Sequence, residues 1–496
     1  MPFNSLKYLY FLAIVATIYY LIPYRYRWIF LFVASCYFYA SFSTGFLLLL
    51  FFLVLVNYLS AVAIERAGVE QRKVVLLVSI LAQVGVLSLF KYGSIMAGAL
   101  PSVLGQQLKW RDYLILPLGL SYIALQSIGY VVDVYNYRQK AEKNIVFLAL
   151  FFLFFPKITA GPIERSVHLI PQFRENHDFD YARITNGLKL VVWGLFKKIL
   201  IADTLALMVD PVFNKPHGYA GIDMLFGVIA FTLQIYFDFS GYSDIALGSA
   251  QIIGIQLTNN FRNPYFASSV SEFWQRWHIS LSAWLRDYVF FPLRRYLVKT
   301  RKNQVLSIIV ASMVPMLVSG FWHGVGATFI VWGILHGLFI TGPALVNYWQ
   351  KDRSKARSPQ WERTMQVIKI VFTLFLVSVA WIFFRAKTLS DALFIISEIL
   401  HTLKLDVRDI MSFRRPRDVL SEIVLDLPRL QVISLGVFIL STFVVEYLRE
   451  KSDFLKNLSN RPSLVRWSLY ILVITSLMML GAHGFSQESH FIYFKF

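Results

Sequence analysis

The side chains of this sequence best suited to chemistry are imidazoles in apolar company. His323 stands in Ser319-Gly320-Phe321-Trp322-His323-Gly324, between the hydrophobic stretches Val305–Val318 and Ala327–Trp349. A charged group at membrane depth costs about 2.5–3.5 kcal/mol on insertion scales, so an ionisable residue there points to function. Imidazole titrates near neutrality, which suits it to proton transfer. Gly320, Gly324 and Gly326 thin the side-chain wall around the ring and would let a substrate approach closely. The alternative for such a residue is a structural hydrogen bond across helices. His336, in Leu335-His336-Gly337, is a weaker candidate: it falls mid-span and reads rather as structural.

A second group lies in Ser271–Tyr288. At helical spacing Trp274, Trp277, His278, Leu281, Trp284, Leu285 and Tyr288 share one face, while Glu272 and Arg276 pair at i,i+4 on another. This predicts one amphipathic helix lying in the membrane interface with an aromatic belt, started by a capping box at Ser269 and Glu272. An interfacial role leaves the apolar placement of His278 unaccounted for, which makes it a second site candidate. In a third group, Gln234–Asp244, Asp238 and Asp244 would point about 240° apart on a regular helix. They form no paired-carboxylate site unless Gly241 bends the chain, and a salt bridge to a base such as Arg276 or Arg286 is expected. No HExxH or carboxylate cluster supports a metal site. The sequence also lacks a GxSxG elbow, a Walker loop and GxGxxG, which argues against covalent serine catalysis and nucleotide hydrolysis.

The elements that must position these residues are membrane helices. Of 496 residues 57% are hydrophobic and 16% charged, with mean hydropathy +0.56. Apolar runs recur from Leu6 to Leu480, enough for about ten to thirteen spans. No period-two barrel pattern occurs, so the fold class expected is all-α and polytopic. The net charge of +19 sits in short connections: Arg25/Arg27, Arg72/Lys73, Arg138/Lys140/Lys143, Arg294/Arg295/Lys299/Arg301/Lys302 and Lys351/Arg353/Lys355/Arg357. That is a positive-inside pattern facing anionic membrane lipids and not a nucleic-acid footprint. Cys36 is the only cysteine and reads as a packing residue, which leaves no intramolecular disulfide or CxxC chemistry. Tyr8–Ile22 lacks a basic n-region and a cleavage site and is expected to remain as the first span.

Leu6–Ile22, Trp28–Ala40, Phe46–Ile64, Val74–Phe90 and Leu114–Val134 read as early helices, with the N-terminus outside and the basic connections in the cytoplasm. Ile145–Phe155 is short and stops at Pro156, which fits a re-entrant or tilted element as well as a span. Asn186–Val209 and Ile222–Asp238 follow, and Gly254–Tyr265 breaks the helical pattern. Arg385–Leu430 mixes charges of both signs and reads as amphipathic helices on one membrane face. The basic loops on either side of the His323 turn share the cytoplasmic side, so the imidazole lies remote from them, at the opposite face or inside the membrane. No internal repeat stands out, which counts against inverted-repeat transporters without removing a proton-coupled transporter as an alternative.

These stretches resemble the membrane-bound O-acyltransferase (MBOAT) family over most of the chain, most specifically at Ser271–Tyr288 and Gly320–Gly337. Tyr236–Asp244, Asn259-Asn260-Phe261-Arg262-Asn263-Pro264-Tyr265, Lys91-Tyr92, Leu116–Gly119, Ala160–Ile163 and Phe491–Phe494 look like its bacterial branch, which acetylates exopolysaccharides such as alginate. The resemblance implies one membrane domain over 1–496, with core motifs at 114–349 and a long loop at 385–430. It also implies a ring of about 11 transmembrane helices with re-entrant or interfacial helices around a thinned central pore. His323 matches the family's catalytic histidine and His278 the second histidine of the bacterial branch. A donor and substrate pocket is expected from Trp322, Trp277, Arg276, Asp238, Asp244, Asn260, Arg286 and Asp287. The implied reaction moves an acetyl group from cytoplasmic acetyl-CoA, with no permanently bound cofactor, to a hydroxyl on an exported polysaccharide such as alginate. Peptidoglycan, cellulose and teichoic acid, the last by D-alanyl transfer, are the alternative acceptors. The implied setting is the bacterial inner membrane, with an extracytoplasmic acetyl-accepting protein as partner.

Overall fold

Long uncharged runs of leucine, valine and phenylalanine form helices here because a chain in hydrocarbon must satisfy its backbone hydrogen bonds within each segment. The computed structural model describes residues 1–98, 116–219, 221–300, 303–349, 358–411, 428–451 and 461–481, and every regular element among them is helical. Eight helices among the described residues are long and apolar enough to cross a membrane, and Leu6–Leu21 is a shorter apolar one. The packing divides the chain into two compact units, Met1–Trp193 with Tyr242–Asn259, and Gly194–Gly241 with Asn260–Phe496.

The first unit holds α1 (Leu6–Leu21), α2 (Tyr24–Ala40), α3 (Thr44–Arg66), α4 (Val69–Gly98), α5 (Leu120–Tyr135), α6 (Ile145–Leu153), α7 (Ser166–Gln172) and most of α8 (Tyr181–Leu195). Polar side chains on α3, α4 and α5 are paired with one another. Asn57 Nδ2 donates to Leu53 O at 2.8 Å and Ser127 Oγ at 3.1 Å, and Gln83 Nε2 donates to Asn57 Oδ1 at 3.1 Å. The short element foreseen at Ile145–Phe155 is α6, only nine residues long. Asn144 Oδ1 caps it by accepting from the Val146 and Phe147 N–H groups, and Leu148 to Phe155 are all buried. Nine residues reach about 14 Å, far short of the hydrocarbon thickness, so α6 is an internal helix and not a span.

In the second unit the single helix foreseen over Asn186–Val209 is interrupted. After α8 a π-helical segment runs over Phe196–Ala202, and α9 (Asp203–Asn214) follows. α10 (Gly221–Ile252) is one 32-residue helix whose residues from Tyr242 onward belong to the first unit. Gly241 does not bend it. It allows close approach instead, because a Cβ there would lie 2.7 Å from Gly194 O and 3.0 Å from Lys198 N. In α10 72% of the span is buried against 6% in α19 (Ser463–Leu480), so α10 is a core helix and α19 is largely exposed among the described residues.

The interfacial helix expected across Ser271–Tyr288 is a correction. The chain forms α11 (Val270–Arg276), breaks at Trp277–His278, forms α12 (Ile279–Leu285), and passes through a π turn (Arg286–Phe290) into α13 (Phe291–Thr300). Trp274, Trp277, His278, Leu281, Trp284 and Leu285 are buried rather than laid on an interface. The start of α11 is as foreseen on one arm, with Ser269 Oγ accepting from Glu272 N at 3.1 Å. The reciprocal arm lands one residue early, on Ser268 N at 2.8 Å.

Five further helices of this unit precede α19 among the described residues: α14 (Gln304–His323), α15 (Ala327–Trp349), α16 (Pro359–Arg385), α17 (Leu389–Met411) and α18 (Arg429–Lys451). α17 covers the first half of the mixed-charge stretch Arg385–Leu430, while 412–427, the basic loop at 351–357 and the terminal Phe491–Phe494 lie outside the described residues. α14 and α15 form a hairpin packed through glycines. Gly320 meets Phe329 O, a Cβ on Gly333 would lie 2.7 Å from Met316 O, and one on Gly337 2.5 Å from Met313 Sδ. Gly333→Ala therefore has no side-chain slack to use, since the atom it meets is backbone. It should cost about 1–3 kcal/mol, the range for overpacking, measured by SDS unfolding in mixed micelles, whereas Gly436→Ala, with nothing within 4 Å, should change little.

Candidate active site

His323 is the last residue of α14, and Gly324 caps that helix. The histidine is thus not in a loop between two spans. It rides on a helix end, with the turn made by Gly324 to Gly326. Its ring packs at 4.8 Å from Trp322, 5.2 Å from Trp332 and 5.1 Å from Phe384, each in an edge-on arrangement. These are apolar walls with few groups to solvate a charge. His323 is 5% exposed, whereas His278 and His336 are fully buried, and its near neighbours Phe321 and Val325 are exposed. Of these three imidazoles, His323 has the readiest access from outside.

His278 occupies the break between α11 and α12 in the left-handed region, at φ 41° and ψ 55°. That conformation costs an L-residue about 1–2 kcal/mol, so its surroundings must enforce it. Asn260 does so from the loop after α10: its backbone O accepts from Ile279 N at 3.0 Å and its Oδ1 from Ser280 N at 3.2 Å. Arg262 N donates to Arg276 O at 2.9 Å, which ties the same loop to the end of α11. Trp277 anchors the break, packed against Phe261 at 5.1 Å, Phe273 at 5.4 Å and Trp381 at 5.1 Å. The His278 ring then stands edge-on to Phe239 at 4.8 Å and lies 6.3 Å from Trp322.

The rings of His278 and His323 are both in contact with Trp322, which lies between them. His336 extends the series. Its ring is 4.9 Å from Trp332, and its Nδ1 accepts from Trp274 Nε1 at 3.2 Å. Three imidazoles are therefore strung along one aromatic cluster, in the order His278, Trp322, His323, Trp332, His336. Repetition of tryptophan near histidine over 274–336 was the available signal for His336. Its mid-span position left its surroundings open, because period alone cannot tell a packed wall from a lipid-facing one.

The remaining foreseen pocket residues are placed differently. Arg276 pairs with Glu272 at 2.8 Å, as the i,i+4 spacing indicated, so it braces α11. Arg286 is exposed and binds its neighbour Asp287 at 3.1 Å on the π turn, none of whose residues is buried. Asp244 is half-buried and belongs to the first unit. Asp238 makes a salt bridge, but to Lys198 at 2.6 Å and not to Arg276 or Arg286. Lys198 also meets Asp203 at 2.8 Å, so a buried lysine on the π segment is held between buried Asp238 and half-buried Asp203. Lys197-Lys198 inside an apolar stretch was a legible signal for a buried charge, though not for its partner. Among the described residues no three His, Cys, Asp or Glu side chains come together as a metal site requires.

Residues 78–386, which contain His278, His323, His336 and Phe384, match the model of the MBOAT, membrane-bound O-acyltransferase family. The chain belongs to that family. It is a multi-pass membrane protein and an O-acyltransferase. It is 36% identical to the probable alginate O-acetylase AlgI of Pseudomonas putida over 402 residues, 79% of each chain. Similarity to the peptidoglycan O-acetyltransferase of Helicobacter pylori is 33% over 396 residues, 73% of this chain and 71% of that one. A teichoic acid D-alanyltransferase of Bacillus subtilis is 27% identical over 277 residues, 54% of this chain and 69% of its own.

The ion pairs of Lys198 can be separated from catalysis by stability. Asp238→Ala leaves Lys198 short of one buried partner and should cost about 3–5 kcal/mol. Lys198→Met combined with Asp238→Ala should cost clearly less than Asp238→Ala alone, measured by the same SDS titration. Equal losses in the two proteins would count against a structural pair.

Proposed function

We propose that this enzyme takes an acetyl group from acetyl-CoA on the cytoplasmic side of a bacterial inner membrane and transfers it to a hydroxyl for O-acetylation of an exported polysaccharide, with His323 as general base. The observation that carries this reading is the position of His323: nearly buried, on a helix end, walled by Trp322, Trp332 and Phe384, and beside exposed Phe321 and Val325. The names of the relatives support the acyl group and the class of acceptor. Two of the three just described are acetyl-transferring, on alginate and on peptidoglycan, and the third names D-alanyl transfer to teichoic acid.

In the proposed step, neutral His323 accepts the proton of the acceptor hydroxyl as its oxygen attacks the thioester carbonyl. The carbon–sulfur bond breaks, and the imidazolium returns the proton to the departing thiolate, so that an ester and a thiol leave. Trp322 and the rings beside it limit water, which would otherwise hydrolyse the thioester. His278, behind Trp322 and held by Asn260, serves to orient that indole or to polarise the carbonyl. The pattern of basic connections supports donor entry from the cytoplasm, and the depth of His323 supports an acceptor arriving from the other side. The acceptor is the sugar itself or a relay residue on an extracytoplasmic partner protein. Alginate is the favoured polymer on similarity, with peptidoglycan next.

The test is turnover of radiolabelled acetyl-CoA by the purified enzyme in nanodiscs with an oligosaccharide acceptor. His323→Ala should lower transfer by about 10²–10⁴-fold, the range for loss of a general base, with the thermal midpoint little changed. His278→Ala should reduce it less, and Trp322→Ala should raise the ratio of hydrolysis to transfer. Full transfer by His323→Ala would remove the mechanism. Failure of acetyl-CoA alone, with another acyl thioester accepted, would change the donor and keep the base.

A further inference from the structure

At the junction of α1 and α2 the first unit carries a partly open cavity of about 150 Å³ that the acyl-transfer chemistry leaves unused. Three arginines line it, Arg25, Arg27 and Arg174, against one acid, Glu175. Two of the three are held in place by internal partners. Arg27 Nη1 donates to His177 O at 2.7 Å and Nε to Ile22 O at 3.2 Å, while its guanidinium lies 4.9 Å over Tyr19. Arg174 binds Glu142 at 2.5 Å and lies 4.8 Å over Phe147, whose other neighbour is Trp28, stacked at 4.6 Å. Arg25 differs. It is exposed, rests on the face of Tyr26 at 4.7 Å, and has no carboxylate partner among the described residues.

The site therefore has a surplus of positive charge, arginine forks suited to phosphate, and rigid aromatic walls. Its surroundings indicate how the phosphate would arrive. Tyr24 and Trp28 lie in the first two turns of α2, and rings of their kind are enriched where aromatic belts meet headgroups. Above them the outer faces of α1 and α2 are apolar and exposed at Ile14, Ile18 and Leu21, and at Ile29, Val33 and Tyr37. A phosphate carried on acyl chains would place its head in the cavity and its tails along that face. Arg25 and Arg27 also belong to a connection assigned to the cytoplasmic side by charge, where anionic lipid is attracted to basic residues.

We propose that this cavity binds the phosphate head of an anionic phospholipid. The experiment is native mass spectrometry of the full chain in detergent, with phosphatidylglycerol, with phosphatidylcholine of the same acyl chains, or with inorganic phosphate. One phosphatidylglycerol adduct should survive activation that strips phosphatidylcholine. Arg25→Gln should lower its occupancy about fivefold, the effect of one basic residue at an anionic surface, and Arg25→Lys should retain most of it. Arg25 is exposed and holds only a ring face, so both variants should stay monodisperse with unchanged thermal midpoints. Equal retention of phosphatidylcholine, or a phosphatidylglycerol adduct unchanged by Arg25→Gln and Arg25→Glu, would overturn the proposal. Displacement of the lipid by inorganic phosphate at millimolar concentration would overturn it too, in favour of a free anion.

Discussion

The grip of Asn260 on the start of α12 is the interaction on which the histidine cluster depends. A helix broken inside a membrane protein exposes amide groups that hydrocarbon cannot satisfy, and each such group costs several kcal/mol. Here two of those donors, on Ile279 and Ser280, are met by the backbone and side chain of a single residue. With the break satisfied, His278 can hold a left-handed conformation and aim its ring at Phe239 and Trp322. The loop that carries Asn260 turns again at Asn263, which is also at positive φ. Asn263 is further fastened where its Nδ2 donates to Glu446 O at 2.9 Å.

Around that break the second unit is built from aromatic rings rather than from aliphatic packing alone. Trp277, Trp332 and Trp381 are all fully buried and each touches others of the cluster. Such pairs contribute about 0.5–1.5 kcal/mol each beyond area, and, with few rotatable bonds, they fix ring positions closely. That rigidity is what a proton-transferring imidazole needs from its neighbours, since small misplacements of a catalytic group are costly. The same cluster surrounds His323 on a helix end, where glycines on α14 and α15 let two backbones approach.

The buried charges follow a different logic. Lys198 sits on a π-helical segment between Asp203 and Asp238, and Gly241 lets α10 press against the same segment. A buried ion pair adds little net stability over apolar residues of the same size, because desolvation offsets the attraction. Its effect is positional: Asp238 ties α10 to the π-helical segment through Lys198. The proposed lipid site is the counterpart at the surface of the other unit, where arginines are held by carbonyls and rings and one is left to meet an outside anion.

By itself the sequence determined what depends on composition and on near neighbours. Hydrophobic run length made the chain all-α and polytopic. The Ser269 cap and the Glu272–Arg276 pair act over one helical turn, and both were legible. His323 and His278 stood out because polar residues in apolar stretches are expensive wherever the chain goes. Only the tertiary structure decided that Ser271–Tyr288 is two buried helices and not one interfacial helix. The aromatic pattern is the same for both, and what separates them is the pair of hydrogen bonds that Asn260, eighteen residues before His278, accepts from Ile279 and Ser280. It also decided that Asp238 pairs with Lys198, forty residues away, and that His336 shares a wall with His323. Periodicity records which side of a helix is apolar. It does not record which partner meets that side, because that choice is made by the packing of segments distant in the chain.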